Sequence, residues 1–480
     1  MTDATRLQQR ALEQLDPEVP ARLAHHLRAA VRRARSRGVT VLVSVTVPTG
    51  QFGDPVAVIT ASRRPSEPWF ALEQPDRDGL AMAGLGCVQA IEADGESRFA
   101  GVSERWRELR ADAEIDPLDG PPGSGLAAFG GFAFAPEGGA APEWHGFAPG
   151  SMIVPEVSLV RQSEATWLTL NAEVAPDDTA EDVTARIASR VAALRAEPMP
   201  LFDPHPTDRS RVASPMPPAH YEEAVARAVE RIRAGEFEKV VLAREVDVPA
   251  PQAHDSGAVF DLLRQAFESS YVYAVGRGDA TFIGASPELL IRRQGQRATT
   301  VALAGSARRS ADPAVDDHLG EQLMRSDKDR EENAIVARRI ARTLRPFSVW
   351  VTAAPEPVVV RVANIQHLAA PIRAQLAAPI DAVELAGHLH PTPAVGAEPA
   401  AALSVIPALE GFDRGWYAGA VGWTDASGDG EFLVALRCAL LRGGVARCYA
   451  GCGIVRDSDP EAELAETEVK LQVMLPVLSG

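Results

Sequence analysis

Three segments of the sequence hold charges where an apolar fold alone would not place them. Lys239 lies in Phe237-Glu238-Lys239-Val240-Val241-Leu242-Ala243-Arg244, on the strand face shared by Phe237 and Val241. A lysine there is either an edge residue reaching solvent or a desolvated amine, and desolvation is what makes a lysine a general base near neutral pH. Glu288, in Gly284-Ala285-Ser286-Pro287-Glu288-Leu289-Leu290-Ile291, follows a turn and leads into an apolar strand. Partial burial would raise its pKa and keep it protonated as an acid; the plain alternative is an exposed glutamate at a strand start. Glu463, Glu466 and Lys470 stand at i, i+3 and i+7, which places two carboxylates and an ammonium on one helical face. Facing a second acidic helix that contains Asp327-Lys328-Asp329-Arg330-Glu331-Glu332, such carboxylates suit Mg2+, a hard cation that prefers oxygen ligands.

The elements that must position these groups follow from periodicity. Ala219–Ala234 reads as an amphipathic helix stopped by Gly235, and Phe237–Val248 as a β-branched strand. Asp327–Leu344 and Pro460–Leu475 read as helices, the latter with Leu464, Leu471 and Leu475 on a separate apolar face and Glu468 towards solvent. Glu431–Leu441, Gly443-Gly444 and Val445–Val455 form a hairpin pattern in which Cys438 opposes Tyr449, so Cys438 and Cys448 leave opposite faces and do not pair. Upstream, residues 4–37 and 178–196 read as helices, Leu42–Val47 and Pro55–Thr60 as strands, and 117–150 as mostly loop. Glu197–Pro218 carries seven prolines and reads as a linker. The expected layout is an N-terminal region 1–200, a Pro-rich linker 201–218 and a catalytic region 219–480, in an irregular α+β mixture.

The chain has 480 residues, 48 Lys plus Arg against 65 Asp plus Glu, and a net charge of −17, which argues against a nucleic-acid partner. With 46% hydrophobic residues a sizeable core is expected. Four cysteines without a CxxC pair fit a reducing compartment, and no apolar run reaches the ~18 residues of a membrane span, so a cytoplasmic protein is expected. P-loop, GxGxxG, GxSxG and HExxH patterns are missing, and His388 and His390 read as loop or structural histidines rather than metal ligands.

Seven blocks in order make the sequence resemble the chorismate-utilising enzymes, and within them the isochorismate synthases. They are Lys239-Val-Val-Leu-Ala-Arg244, Gly284-Ala-Ser-Pro-Glu-Leu-Leu290, Leu303-Ala-Gly-Ser306, Asp327-Lys-Asp-Arg-Glu-Glu332, Gln366-His-Leu368, His390-Pro-Thr-Pro-Ala-Val-Gly396 and the stretch from Gly415 to Lys470. Glu73-Gln74-Pro75-Asp76-Arg77 and Gly130-Gly131-Phe132 match long members of the group. The resemblance implies an anthranilate-synthase-component-I-like fold: two large stacked antiparallel sheets with helices outside, the first 200 residues lending strands to the same sandwich. It implies Mg2+-dependent conversion of chorismate to isochorismate, water adding at C2 as the C4 hydroxyl leaves.

By the same resemblance, Lys239 matches the base and Glu288 the acid. Glu332 and Glu466 match direct Mg2+ ligands, with Glu463 acting through water. Arg437 and Lys470 match carboxylate-binding positions, Tyr417 a residue near the enolpyruvyl group, Gly305, Ser306, Gly451 and Gly453 pocket backbone, and His367 a polar pocket position. Lys239 favours water over ammonia, so no glutaminase subunit is expected. Ala394 stands where salicylate-forming relatives carry threonine, which favours stopping at isochorismate. The resemblance also suggests a monomer, and the long N-terminal region a role in menaquinone rather than siderophore or salicylate supply. Asn333 departs from the family by following Glu332 where histidine is usual.

Overall fold

The computed structural model describes residues 11–117, 120–200, 212–362 and 365–479. Among them, strands from both halves of the chain build two large sheets, of twelve and ten strands. Pairing is antiparallel except where Val43 and Ser44 meet Glu114 and Ile115. In the larger sheet the Lys239–Pro249 strand is followed in space by Val445–Ile454, Cys438–Arg442, Ala280–Ser286 and Tyr271–Arg277, and the last pairs with Trp69–Gln74 from the N-terminal half. In the smaller sheet Ala127–Phe132 likewise pairs with Ala420–Asp425. Phe70 of one sheet packs on Phe129 of the other at 5.1 Å between ring centroids, so the sheets stack face to face.

Strand alternation distributes the core. Phe70, Leu72, Tyr273 and Val275 point between the sheets, whereas Trp69, Ala71, Val272 and Ala274 point to the outer face of the larger sheet. There they meet Leu23 and Leu27 of the Val19–Arg37 helix, Ile187 of the Ala180–Ala192 helix and Phe260 of the Ser256–Ala266 helix. Burial on both faces explains why such strands read as continuous apolar runs.

Four expectations change. Pro55–Ser62 is a helix, not a strand: Asp54 accepts hydrogen bonds from the Val56 and Ala57 N–H groups, and Pro55 fills the first turn, so capping outweighs β-branched content. Ala127–Phe132 is a buried central strand inside the stretch read as loop. The continuous strand expected over Glu431–Leu441 is two strands in different sheets, Gly430–Val434 in the smaller and Cys438–Arg442 in the larger, with residues 435–437 crossing between them. The last helix ends at Leu471, and a short helix Leu475–Ser479 follows, since Pro476 has no N–H to continue the first.

The other elements match closely. The helices Pro218–Arg233 and Asp327–Leu344 lie where periodicity places them, and Cys438 opposes Tyr449. All four cysteines are free thiols. His390 is buried against the Phe134 carbonyl and held neutral, its pKa lowered to about 3 by burial, while His388 stacks on Phe347. The linker falls partly outside the described residues, as does the beginning of the first expected helix. No helix among the described residues is long and apolar enough to cross a membrane.

Candidate active site

The site lies where the Lys239–Pro249 and Val445–Ile454 strands meet the Asp327–Leu344 and Pro460–Leu471 helices. Lys239 is fully buried, which decides against an edge residue reaching solvent, but it is not isolated: its Nζ donates to Glu332 Oε1 at 2.8 Å. Glu332 comes from the Asp327–Leu344 helix, which Ser326 caps through the Asp329 N–H. The contact needs Gly453 on the neighbouring strand, because a Cβ there would stand 2.4 Å from Glu332 Oε1 and 2.8 Å from Lys239 Cε.

The pairing of Arg297–Arg308 with Ile365–Leu376 shifts register between Leu303 and Ser306. Gly305 occupies that irregularity with φ +78°, and a Cβ would approach Asp329 Cβ to 2.9 Å. The shift delivers Ser306 Oγ to Glu466 Oε1 at 2.8 Å. Asp459 caps the last helix through the Ala462 N–H, and the helix presents Glu463, Glu466 and Lys470 together. Lys470 Nζ donates to Glu466 Oε1 at 2.7 Å and to the Gly451 carbonyl at 2.8 Å. Desolvation opposes the Glu466 charge, but Lys470, Ser306 and Lys328 together hold its pKa down to about 2. Burial likewise opposes the Lys470 charge, yet the Cys452 sulfur and the Glu466 carboxylate leave its pKa above the ordinary value. Glu463 is buried and accepts from Lys328 Nζ at 3.0 Å; burial and neighbouring Glu466 push its pKa up.

Glu288 stands apart from these pairs. Burial raises its pKa to about 8, with only partial offset from Lys239, Lys470 and Arg437, so at neutral pH it is a carboxylic acid. Arg437 sits in the sheet crossover with φ +50° and is buried. Among the described residues it makes no ion pair; its guanidinium meets His367 Nε2 at 3.4 Å. Burial, Arg437 and Lys470 lower the His367 pKa to about 3, so this imidazole is neutral. Tyr417 stacks on Tyr449 with centroids 5.1 Å apart, and Ala394 donates its N–H to Thr392 Oγ1 at 3.2 Å beside it.

These groups surround one cavity. Glu288, Gly305, Ser306, Glu332, His367, Ala394, Tyr417, Arg437, Gly451, Gly453, Glu463, Glu466 and Lys470 all line it. Lys239 does not; it lies behind Glu332 and Gly453. Lys328 and Asp329 also line the cavity and were not singled out from the sequence, although Lys328 precedes Glu332 by one helical turn. Asn333 turns away and donates to the Ala302, Ala304 and Leu368 carbonyls, pinning the helix to the smaller sheet directly beneath Glu332.

Ligand atoms of Cys452, Glu463 and Glu466 lie within 4.8 Å of one another. The donor chemistry there is that of a hard cation: burial raises the Cys452 thiol well above its ordinary pKa, which leaves carboxylate oxygens as the charged ligands.

Comparison with known proteins identifies the family and the fold. Residues 28–479 match the chorismate binding enzyme family model. The salicylate biosynthesis isochorismate synthase of Pseudomonas aeruginosa is 38% identical over 453 residues, which is 94% of this chain and 93% of that protein. The solved structure of MenF, the menaquinone-specific isochorismate synthase of Escherichia coli, superposes with a TM-score of 0.76 at 26% identity, covering 94% of this chain and all of that one. Anthranilate synthase component I from Streptococcus pneumoniae shares the fold, with a TM-score of 0.66 at 20% identity over 82% of this chain and 91% of that one. The family model covers most of the chain and the relatives match it nearly end to end, so the chain belongs to the chorismate-binding enzymes.

Proposed function

We propose that this protein is an isochorismate synthase, which adds water at C2 of chorismate as the C4 hydroxyl departs. The observation that carries the reading is Arg437, a buried guanidinium in the cavity wall without an ion pair among the described residues. A buried unpaired cation is costly, and an anionic substrate supplies what it lacks. Chorismate is a dianion; Arg437 takes one carboxylate, with Lys470 at the same wall. Glu288, protonated at neutral pH, donates its proton to the leaving hydroxyl. Lys239 is the base that removes a proton from the attacking water.

Glu463 and Glu466, whose ligand atoms lie within 4.8 Å of each other, and Glu332, which lines the same cavity, are the residues that would hold Mg2+. When bound, the cation anchors a substrate carboxylate and neutralises charge around it. Three lysines now occupy these carboxylates: Lys239 on Glu332, Lys328 on Glu463 and Lys470 on Glu466. The close approach of Gly453 keeps the Lys239 amine against Glu332. Ser306 and Gly451 keep Glu466 and Lys470 in place meanwhile.

Ala394 leaves the product intact, without elimination of pyruvate. We propose a cytoplasmic enzyme that acts as a monomer, uses water and needs no glutaminase. Menaquinone supply is the branch we favour, on the length of the N-terminal region, since the menaquinone-specific and the salicylate-biosynthesis relatives each cover 94% of this chain; menaquinone content in a deletion strain separates it from siderophore or salicylate supply. The activity is tested by incubating pure protein with chorismate and Mg2+ and separating the products. Isochorismate without pyruvate is expected, and salicylate with equimolar pyruvate would overturn the reading.

A further inference from the structure

The Lys239–Pro249 strand has a full-length partner on one side, Val445–Ile454, but on the other the short Ala397–Glu398 strand reaches only Lys239 and Val240. Past that point the free edge is buried, with Val241 and Ala243 almost inaccessible, and buried backbone groups need partners. The Val241 N–H donates to the Gly396 carbonyl at 2.7 Å. Further along, Ala213 exchanges two backbone hydrogen bonds with Asp247, and between these points two side chains serve the Val241 carbonyl and the Ala243 N–H. Arg414 donates from Nη2 to the Val241 carbonyl, from Nη1 to the Val395 carbonyl and from Nε to Glu410 Oε2, each at 2.9 Å. Glu410 Oε1 accepts from the Ala243 N–H at 2.7 Å. The guanidinium lies 4.2 Å over the Phe134 ring and 5.8 Å from the Tyr417 ring centroid.

Neither Glu410 nor Arg414 lines the cavity, yet Val241, Val395 and Tyr417 do. The pair therefore stands in for a missing strand and ties three walls of the site together. A buried ion pair is weak as a source of stability and is better explained by the geometry it imposes. We infer that Glu410 and Arg414 are a positioning pair for the reaction: they lock the edge of the Lys239 strand to the loop carrying Ala394 and so set where the Lys239 amine lies against the cavity. This rests on reading Lys239 as the base.

The test compares Arg414→Lys and Glu410→Gln with the parent enzyme, with chorismate and saturating Mg2+, well below the melting temperature. In both variants kcat is expected to fall by about 10- to 100-fold, the scale on which a misplacement of about 1 Å is felt, with KM little changed. Exchange of the Ala243 amide hydrogen should accelerate in Arg414→Lys, where the Glu410 carboxylate loses its clamp. A lowered Tm with unchanged kcat would make the pair a mere brace and overturn the inference. Should Arg414→Lys fail to fold, Glu410→Gln decides, since glutamine keeps an oxygen for the Ala243 N–H. Lys239→Ala is run alongside: if it retains the parent rate, the reading of the base falls and the inference with it, whereas a dead Lys239→Ala beside fully active pair variants overturns the positioning role alone.

Discussion

Around the cavity three carboxylates meet three ammonium groups, one to one, and among the described lining residues Glu288, Asp329 and Arg437 stand outside that pairing. This separates the acid from its neighbours. Burial places the Glu288 pKa near 8, while Glu466, held by Lys470, Ser306 and Lys328, titrates near 2. The rate constant kcat/KM should therefore fall as pH rises through about 8, where Glu288 gives up its proton in the free enzyme. The stability consequence has a definite sign. The folded chain holds this proton more tightly than the unfolded chain, so folding is penalised progressively between about 4.5 and about 8. Glu288→Gln removes the penalty: denaturant titrations should find the variant gaining on the parent across that window and no further above it. A constant difference at all pH values would contradict the assignment.

Lys328 offers a second residue-scale prediction, because it is exposed where the other two lysines are not. If Glu463 holds Mg2+ as proposed, Lys328 would compete with the cation for it. Calorimetric titration of Lys328→Met with Mg2+, without chorismate, should find tighter binding, by about tenfold if the lost competition is ~1.4 kcal/mol; equal or weaker binding counts against Glu463 as a ligand.

At the scale of elements, the site depends on close approach of the Val445–Ile454 strand to the Lys239–Glu332 contact. Gly453→Ala puts a methyl within 2.4 Å of a carboxylate oxygen, in a region too tightly packed to yield freely. Turnover should drop more than about tenfold, because displacement of the reacting groups is felt steeply. Parent-like kinetics in that variant would mean that Lys239 and Glu332 need not touch. Much of this scaffold was legible: the bounds of the Asp327–Leu344 helix, the hairpin register and the shared face of Glu463, Glu466 and Lys470 all follow from local periodicity. The sheet crossover at residues 435–437 was not, because an apolar run interrupted only by Arg437 passes through it without glycine or proline to mark a break. Nor was the bond from Lys239 to Glu332, 93 residues apart, since periodicity describes faces and not what a face meets.

For the whole molecule, both sheets cross the boundary between the halves, through Trp69–Gln74 on Tyr271–Arg277 and Ala127–Phe132 on Ala420–Asp425. Arg77 also reaches Glu431, a buried carboxylate shared with Arg292. Cutting at the Pro-rich linker exposes two raw sheet edges in each piece. Residues 219–480 alone should fail to unfold cooperatively, and co-expression with residues 1–200 should restore activity; an active isolated C-terminal piece would show that the halves fold independently.

The central claim is that the chain activates water against C2 of chorismate, and the origin of the new oxygen tests it most directly. Turnover in water enriched in oxygen-18 with Mg2+ should give isochorismate carrying one heavy oxygen at C2, with no labelled product from Lys239→Ala. Unlabelled isochorismate from the parent enzyme would mean that the hydroxyl migrates without passing through water, and would contradict the account.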